Sequence, residues 1–182
     1  MAARKKKVVE QTTEVIPPQP ESRFAICDAI VADIEGGYWD DPDGGPTMYG
    51  ISQNAYPDLD IKSLTEDEAR EIRRQDYWKK CRCDELPHGL DHLVYDAAVN
   101  QGGYFAAKAL QAVVGATTDG IIGPKTLAAT REYMGKHGLS KLVNEFAARR
   151  GLRYGSLESF RRNGWGWMRR LMRVHEAAVR EV

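Results

Sequence analysis

Apolar residues recur at helical spacing over most of the chain after residue 21. The first such stretch predicts a helix from Ser22 to Glu35, which ends at the pair Gly36-Gly37 because glycine readily terminates helices. Its apolar positions, three or four residues apart, are Cys27, Ile30, Val31 and Ile34. Glu35 is therefore expected at the edge of a buried face, where the helix gives way to a glycine-rich loop.

The later segments also carry helix signals. Thr65 and Glu68 form a capping box, which predicts a helix running to about Lys80. A double glycine at 102–103 separates two further predicted helices, and Pro124 is suited to the first turn of another. The predicted ranges are about 90–101, 104–114, 124–134 and 140–154, with a last helix from about Trp165 to the end.

The segment from Tyr38 to Ser52 is the exception to this helical pattern. Its prolines and glycines exclude a helix and favour a hairpin or an irregular loop, with a short strand near 49–52. The predicted fold class is therefore mainly α, with one small β region near residues 38–52.

Composition limits the broader class. The chain has 182 residues, 42% of them hydrophobic, which suits one globular domain that has two lobes. Lys plus Arg equals Asp plus Glu at 26 each, so no net charge favours nucleic acid. Arginines are concentrated between 149 and 173, where they indicate either a solvated basic helix face or a surface that binds an acidic polymer.

Residues 1–21 are basic at first and then proline-rich, which predicts a flexible tail. No apolar run approaches the length that a bilayer requires, and the tail lacks the apolar core of a Sec signal. We therefore expect synthesis in a cytoplasm, no membrane insertion, and export by another route.

The three cysteines predict reduced thiols, because Cys27, Cys81 and Cys83 cannot all pair within one chain. A C-x-C, H-x3-H pattern is formed by Cys81, Cys83, His88 and His92, but its spacing matches no standard zinc site. We predict no metal and no cofactor.

Several stretches resemble glycoside hydrolase family 108, which contains lysozyme-like N-acetylmuramidases of phages and bacteria. The first is Glu35–Ser52, EGGYWDDPDGGPTMYGIS; the second is Asp96–Ala128, DAAVNQGGYFAAKALQAVVGATTDGIIGPKTLA; the third is Arg150–Arg170. The resemblance implies a lysozyme-like fold. After the tail at 1–21, it also implies a catalytic lobe at 22–90 and a helical C-terminal lobe at 91–182 that is a predicted peptidoglycan-binding region.

The resemblance further implies hydrolysis of the β-1,4 link between N-acetylmuramic acid and N-acetylglucosamine. Glu35 is the expected general acid, and Asp43 with Thr47 is expected to position water for an inverting attack. Asp41 remains an alternative to Asp43, since the loop is about two residues shorter than the usual family pattern. Each loop aspartate also suits an ordinary turn.

Aromatic faces and amides bind sugars, and several residues near the loop or the double glycine are candidates. The predicted substrate-binding residues are Tyr38, Tyr49, Asn100, Gln101 and Tyr104. Tyr77, Trp78, Trp165 and Trp167 are predicted to pack internally.

Three biological settings fit such an enzyme. The expected ones are a phage endolysin released through a holin and a virion lysozyme joined to tail or virion proteins through residues 1–21; a secretion-associated bacterial muramidase is the third. In each case, the enzyme would be made in the bacterial cytoplasm and would act in the periplasm or the cell wall. The alternative function is a non-catalytic peptidoglycan-binding or virion structural protein of the same fold.

Overall fold

The computed structural model describes residues 22–41 and 45–182, with only the backbone of Asp41. Within these residues there are seven α-helices and one three-stranded antiparallel sheet. The helices are α1 (Arg23–Glu35), α2 (Glu66–Arg73), α3 (Leu90–Gln101), α4 (Gly103–Val114), α5 (Pro124–His137), α6 (Leu139–Gly155) and α7 (Phe160–Val179). The strands are β1 (Tyr38–Asp41), β2 (Gly45–Met48) and β3 (Ile51–Ser52), and short 3-10 helices span Ile61–Ser63 and Cys83–Glu85. The mainly α fold class with a small β region is confirmed.

Helix α3 lies at the centre of the main core. Every residue from Leu90 to Ala98 is buried, which is typical of a helix enclosed on all sides. Helices α1, α4, α6 and α7 all pack against it. The main core includes residues on both sides of position 90, from Phe24 to Ala178, so the two predicted lobes share one hydrophobic core.

A second, smaller core lies beneath the sheet. It consists of Ile51, Ile61, Leu64 and Ala69, with Met48 packed against it. In the sheet Met48 pairs with Tyr38 and Ile51, while Thr47 pairs with Trp39 and Ser52. Because side chains alternate along strands, Thr47, Trp39 and Ser52 share the face opposite the small core.

Side-chain caps set the starts of two helices among the described residues. Ser22 caps α1, and Thr65 and Glu68 form the predicted capping box of α2. The backbone after α2 continues as a π-helix over Arg74–Lys79 rather than as a regular helix to Lys80. Helix bulges of this kind are not visible in hydrophobic spacing.

Two helix boundaries differ from the sequence prediction. Helix α5 passes through Gly135 and ends at His137, because Gly138 follows with a φ of 83°. The helix tolerates Gly135 because a single interior glycine costs only about 1 kcal/mol of helix stability. Helix α7 begins at Phe160 rather than near Trp165, because the Phe160 ring packs against Trp167 and against the backbone of Gly164.

A buried ion pair joins α1 to the sheet region. Arg73 donates to both oxygens of Asp28, at 2.7 and 2.9 Å, and Tyr95 donates to the same carboxylate at 2.5 Å. Arg73 also donates to the carbonyl oxygen of Tyr49 at 2.8 Å. Tyr49 has a left-handed φ of 51°, which is uncommon for a tyrosine, and this hydrogen bond holds it in that conformation.

No helix in the described part of the chain is long and apolar enough to cross a membrane. The predicted flexible tail at 1–21 lies outside the described residues.

Candidate functional site

Glu35 is the last residue of α1, with a side chain that is 19% exposed. Gly36 follows with a φ of 67° and ends the helix, as the sequence predicted. The backbone of Gly50 lies beside the carboxyl group, so close that a Cβ there would meet Oε2 at 3.0 Å and the Glu35 Cγ at 2.8 Å. Only glycine allows this approach, which places the Glu35 carboxyl group against the turn between β2 and β3.

Arg170 of α7 holds Glu35 from the other side. Its Nη1 donates to Glu35 Oε1 at 2.6 Å, and its Nε donates to Asp96 Oδ1 at 2.9 Å. Asp96 lies on the central helix α3 and also accepts from Arg150 Nη2 at 2.6 Å. Both Asp96 and Arg150 have fully buried side chains. A chain of buried charges thus connects Glu35 to the middle of the protein.

The two arginines control the charge state of Asp96. Burial alone would raise the pKa of this carboxyl group, but Arg150 and Arg170 outweigh burial and lower it. Burial would likewise lower the pKa of Arg170, whereas Asp96 and Glu35 together raise it. Asp96 and Arg170 are therefore both charged at neutral pH.

Amides and a phenol complete the network. Arg150 Nε donates to Gln101 Oε1 at 2.9 Å, and the Tyr154 hydroxyl donates to Asn100 Oδ1 at 2.5 Å. Asn100 and Gln101, which we predicted to bind substrate, thus direct these oxygens toward internal partners. Their substrate role stays a prediction, while the structure gives them a role in supporting Arg150.

Thr47 lies in β2 on the sheet face that points away from the small core. Its hydroxyl donates to the Gly45 carbonyl oxygen at 3.3 Å. Trp39, its cross-strand partner, shares this face and is 65% exposed. Asp43 lies outside the described residues, so its place relative to Glu35 stays a prediction.

Two comparisons with known proteins found matches to this chain. The family model described as Glycosyl hydrolase 108 matches residues 28–102, which include Glu35, Thr47 and Asp96. A solved structure titled "Structure of Brucella abortus SagA" is similar over 87% of this chain and 94% of its own, with 38% identity and a TM-score of 0.79. The chain belongs to glycosyl hydrolase family 108. A comparison with curated proteins gave no match.

Membership of family 108 makes the chain a glycosidase of lysozyme-like fold and supports peptidoglycan as its substrate. The sequence interpretation is confirmed at this level.

The aromatic candidates of this family 108 protein lie in different surroundings. Tyr38 is 45% exposed at the start of β1, and Tyr49 packs partly against the small core. Tyr104 is exposed at the start of α4, where it lines a groove with residues of α6. Tyr77 is half-buried; burial raises the pKa of its hydroxyl, and the nearby charges of Asp76 and Glu35 add to this effect.

Sequence reasoning was wrong about Trp165 and about two arginines. Trp165 does not pack internally but is 79% exposed, whereas Trp167 does pack, stacking on Tyr154 with ring centroids 5.2 Å apart. Arg150 and Arg170 are buried, not part of a solvated basic face. The sequence signal for these buried arginines was Asp96, a charged residue within the apolar pattern of α3. A buried charge requires a partner of opposite charge.

One group of possible metal ligands occurs among the described residues. Side-chain atoms of Cys27, Asp91 and His92 lie within 4.8 Å of one another. Arg23 already pairs with Asp91, and His92 Nε2 lies 3.1 Å from Glu181. Burial raises the pKa of the Cys27 thiol well above its usual range, which disfavours the thiolate that a metal requires. A metal ion at this position would also be repelled by the positive charge of Arg23, which already pairs with Asp91.

Replacing Asp96 with asparagine should destabilise the fold by about 3–5 kcal/mol at pH 7, because both arginines would lose their buried counter-charge. Since folding lowers the pKa of Asp96, its contribution is present above about pH 4 and is lost as the pH falls through the folded-state value. Urea unfolding between pH 7 and pH 3 measures both effects. The variant should show a weaker loss of stability with acid than the wild type.

The matched control is Asp33→Asn, which removes an exposed partner of Arg173 and should cost less than about 1 kcal/mol. An Asp96→Asn protein as stable as this control would contradict the role of the buried network.

Proposed function

We propose that this family 108 protein is an N-acetylmuramidase with Glu35 as its general acid. It cleaves the β-1,4 link between N-acetylmuramic acid and N-acetylglucosamine. The observation that carries the proposal is the fixed carboxyl group of Glu35, partly shielded from water and held between the Gly50 backbone and Arg170. Glycosidases need one carboxyl group placed to protonate the leaving oxygen.

The contacts of Glu35 divide its two oxygens between two tasks. Oε1 accepts from Arg170 and sets the orientation of the group. Oε2, beside Gly50, has no hydrogen-bond partner among the described residues, and we assign it the proton that passes to the leaving oxygen. Because Asp96 also binds Arg170, the positive charge that Glu35 meets is partly neutralised.

The second group of the mechanism belongs to the loop between β1 and β2. Asp43, together with Thr47 of β2, would hold a water molecule on the opposite face of the sugar for an inverting attack. Thr47 supports this assignment by its place on the sheet face away from the small core. Asp41 is the alternative carboxylate.

Trp39 extends the proposed sugar site. It lies directly across from Thr47 on the same face of the sheet, and its exposed ring offers an apolar surface to a pyranose ring. A sugar stacked there would lie next to the residue proposed to hold the water.

Glu35→Gln should lower the release of new reducing ends from purified peptidoglycan at least about 100-fold, because the amide cannot donate the acid proton. Pelleting with the same walls should be unchanged, since the substitution nearly preserves shape. Reducing-end labelling with mass spectrometry identifies the ends, and muramic acid is expected.

Glu132→Gln, the same change at an exposed position on α5, is the control and should retain activity. If neither wild type nor control releases reducing ends while both bind walls, the alternative of a non-catalytic wall-binding or virion structural protein is correct.

Asp43→Asn should reduce kcat about 100-fold or more with little change in KM, because the attacking water loses its base. Asp41→Asn, at the end of β1 next to this loop, is the matched comparison and should retain most activity. Steady-state hydrolysis of soluble glycan chains measures both variants. The opposite order of effects would transfer the role to Asp41, and two fully active variants would refute a loop carboxylate.

Trp39→Ala should raise KM for glycan chains about 2- to 10-fold by removing one stacking surface. The side chain is mostly exposed, so the midpoint of thermal unfolding should stay near that of the wild type. Ile121→Ala, which removes another exposed apolar side chain, serves as the control. An unchanged KM in Trp39→Ala would place the sugar elsewhere.

A further inference from the structure

A second groove lies between α4 and α6, away from the Glu35 network. It encloses about 600 Å³, and none of Glu35, Asp96, Arg150 and Arg170 lines it. The lining residues that matter here are Tyr104, Lys108, Thr118, Arg149, Leu152 and Arg153. Nothing in the proposed hydrolysis uses this groove.

The groove has a positive charge that the protein does not neutralise. Lys108, Arg149 and Arg153 line it, and no aspartate or glutamate does. Among the described residues, none of these three cations has a carboxylate partner within 4.0 Å. Most other arginines on the surface and in the core are paired, for example Arg23 with Asp91 and Arg173 with Asp33.

Aromatic rings hold two of these cations in place. The Lys108 ammonium lies 5.1 Å from the centre of the Tyr104 ring, and the Arg153 guanidinium lies 5.9 Å from that of Phe105. The Tyr104 ring is itself fixed against Gly120, where any side chain would clash with it. The cations are therefore oriented before a ligand arrives, which reduces the entropy lost on binding.

The same groove exposes apolar surface. Tyr104 is 64% exposed and Leu152 is 74% exposed, so both side chains offer apolar surface to a ligand in the groove. The Thr118 hydroxyl adds a hydrogen-bonding group, whereas the Ser156 hydroxyl already donates to the Arg153 carbonyl oxygen at 2.8 Å. A fitting ligand carries carboxylates together with small aliphatic groups.

We propose that the groove between α4 and α6 binds the stem peptides of peptidoglycan through their carboxylates. This inference rests on the proposed function, which makes peptidoglycan the substrate. Stem peptides are short, carry free carboxylates and contain small aliphatic side chains, so they match the three cations and the exposed Tyr104 and Leu152. The protein as a whole has no net charge, so the attraction is local to this groove.

The experiment compares two full-length variants with equal changes in charge. The groove variant combines Lys108→Gln, Arg149→Gln and Arg153→Gln. The control variant combines Lys62→Gln, Lys125→Gln and Lys141→Gln, which are exposed positions outside the groove. All proteins also carry Glu35→Gln for the binding assays, so that the walls stay intact.

Binding is measured on walls freed of phosphate polymers, either with their stem peptides or after an amidase has removed them. Wild-type and control proteins should bind the peptide-bearing walls about tenfold more tightly, and the groove variant should lose this preference. Titration with a free stem tetrapeptide should perturb the NMR signals of the groove in the wild-type and control proteins but not in the groove variant. The preference should also weaken with added salt.

Equal binding of the wild type to both wall preparations, or a preference retained by the groove variant, would overturn the proposal. A groove-dependent preference that appears only on walls retaining phosphate polymers would assign the site to those polymers and overturn it too. Hydrolysis of peptide-free glycan by the variants with Glu35 intact is a separate measurement. If no protein hydrolyses glycan while the peptide preference persists, the hydrolase proposal fails and the peptide site stands.

Discussion

The guanidinium of Arg170 joins Glu35, at the end of the first helix, to Asp96, in the middle of the central helix. Buried ion pairs add little net stability, because removing charges from water offsets most of their attraction. What they contribute is a defined geometry, because a planar guanidinium can donate to its partners in only a few arrangements. The position of the Glu35 carboxyl group therefore depends on α7, although more than a hundred residues separate the two in sequence.

A second pair of similar chemistry fixes the other side of the site. Arg73 binds Asp28 on α1 and also the carbonyl oxygen of Tyr49, the residue before Gly50. The first helix is thus tied to the sheet region by one buried arginine and to the C-terminal helix by another. Glu35 lies between these two connections, which explains how a residue at a helix end is held in a defined orientation.

The arginines of the C-terminal half fall into two groups with different roles. Arg150 and Arg170 are buried and satisfied by Asp96, so they belong to the framework of the site. Arg149 and Arg153 come from the same helix as Arg150 but face outward into the groove with Lys108. Positions one residue apart on a helix differ by about 100° in direction, so one helix serves both purposes.

Local signals in the sequence determined the helices, the capping box at Thr65, the glycine that ends α1 at Glu35, and the family through the motif around it. These features depend on neighbouring residues, so they are readable without a fold. Only the tertiary structure decided that Arg170 meets Glu35, that Asn100 and Gln101 turn inward, and that Trp165 is exposed. Such contacts join segments far apart in sequence, and helical spacing specifies which face of a helix is buried but not which partner covers it.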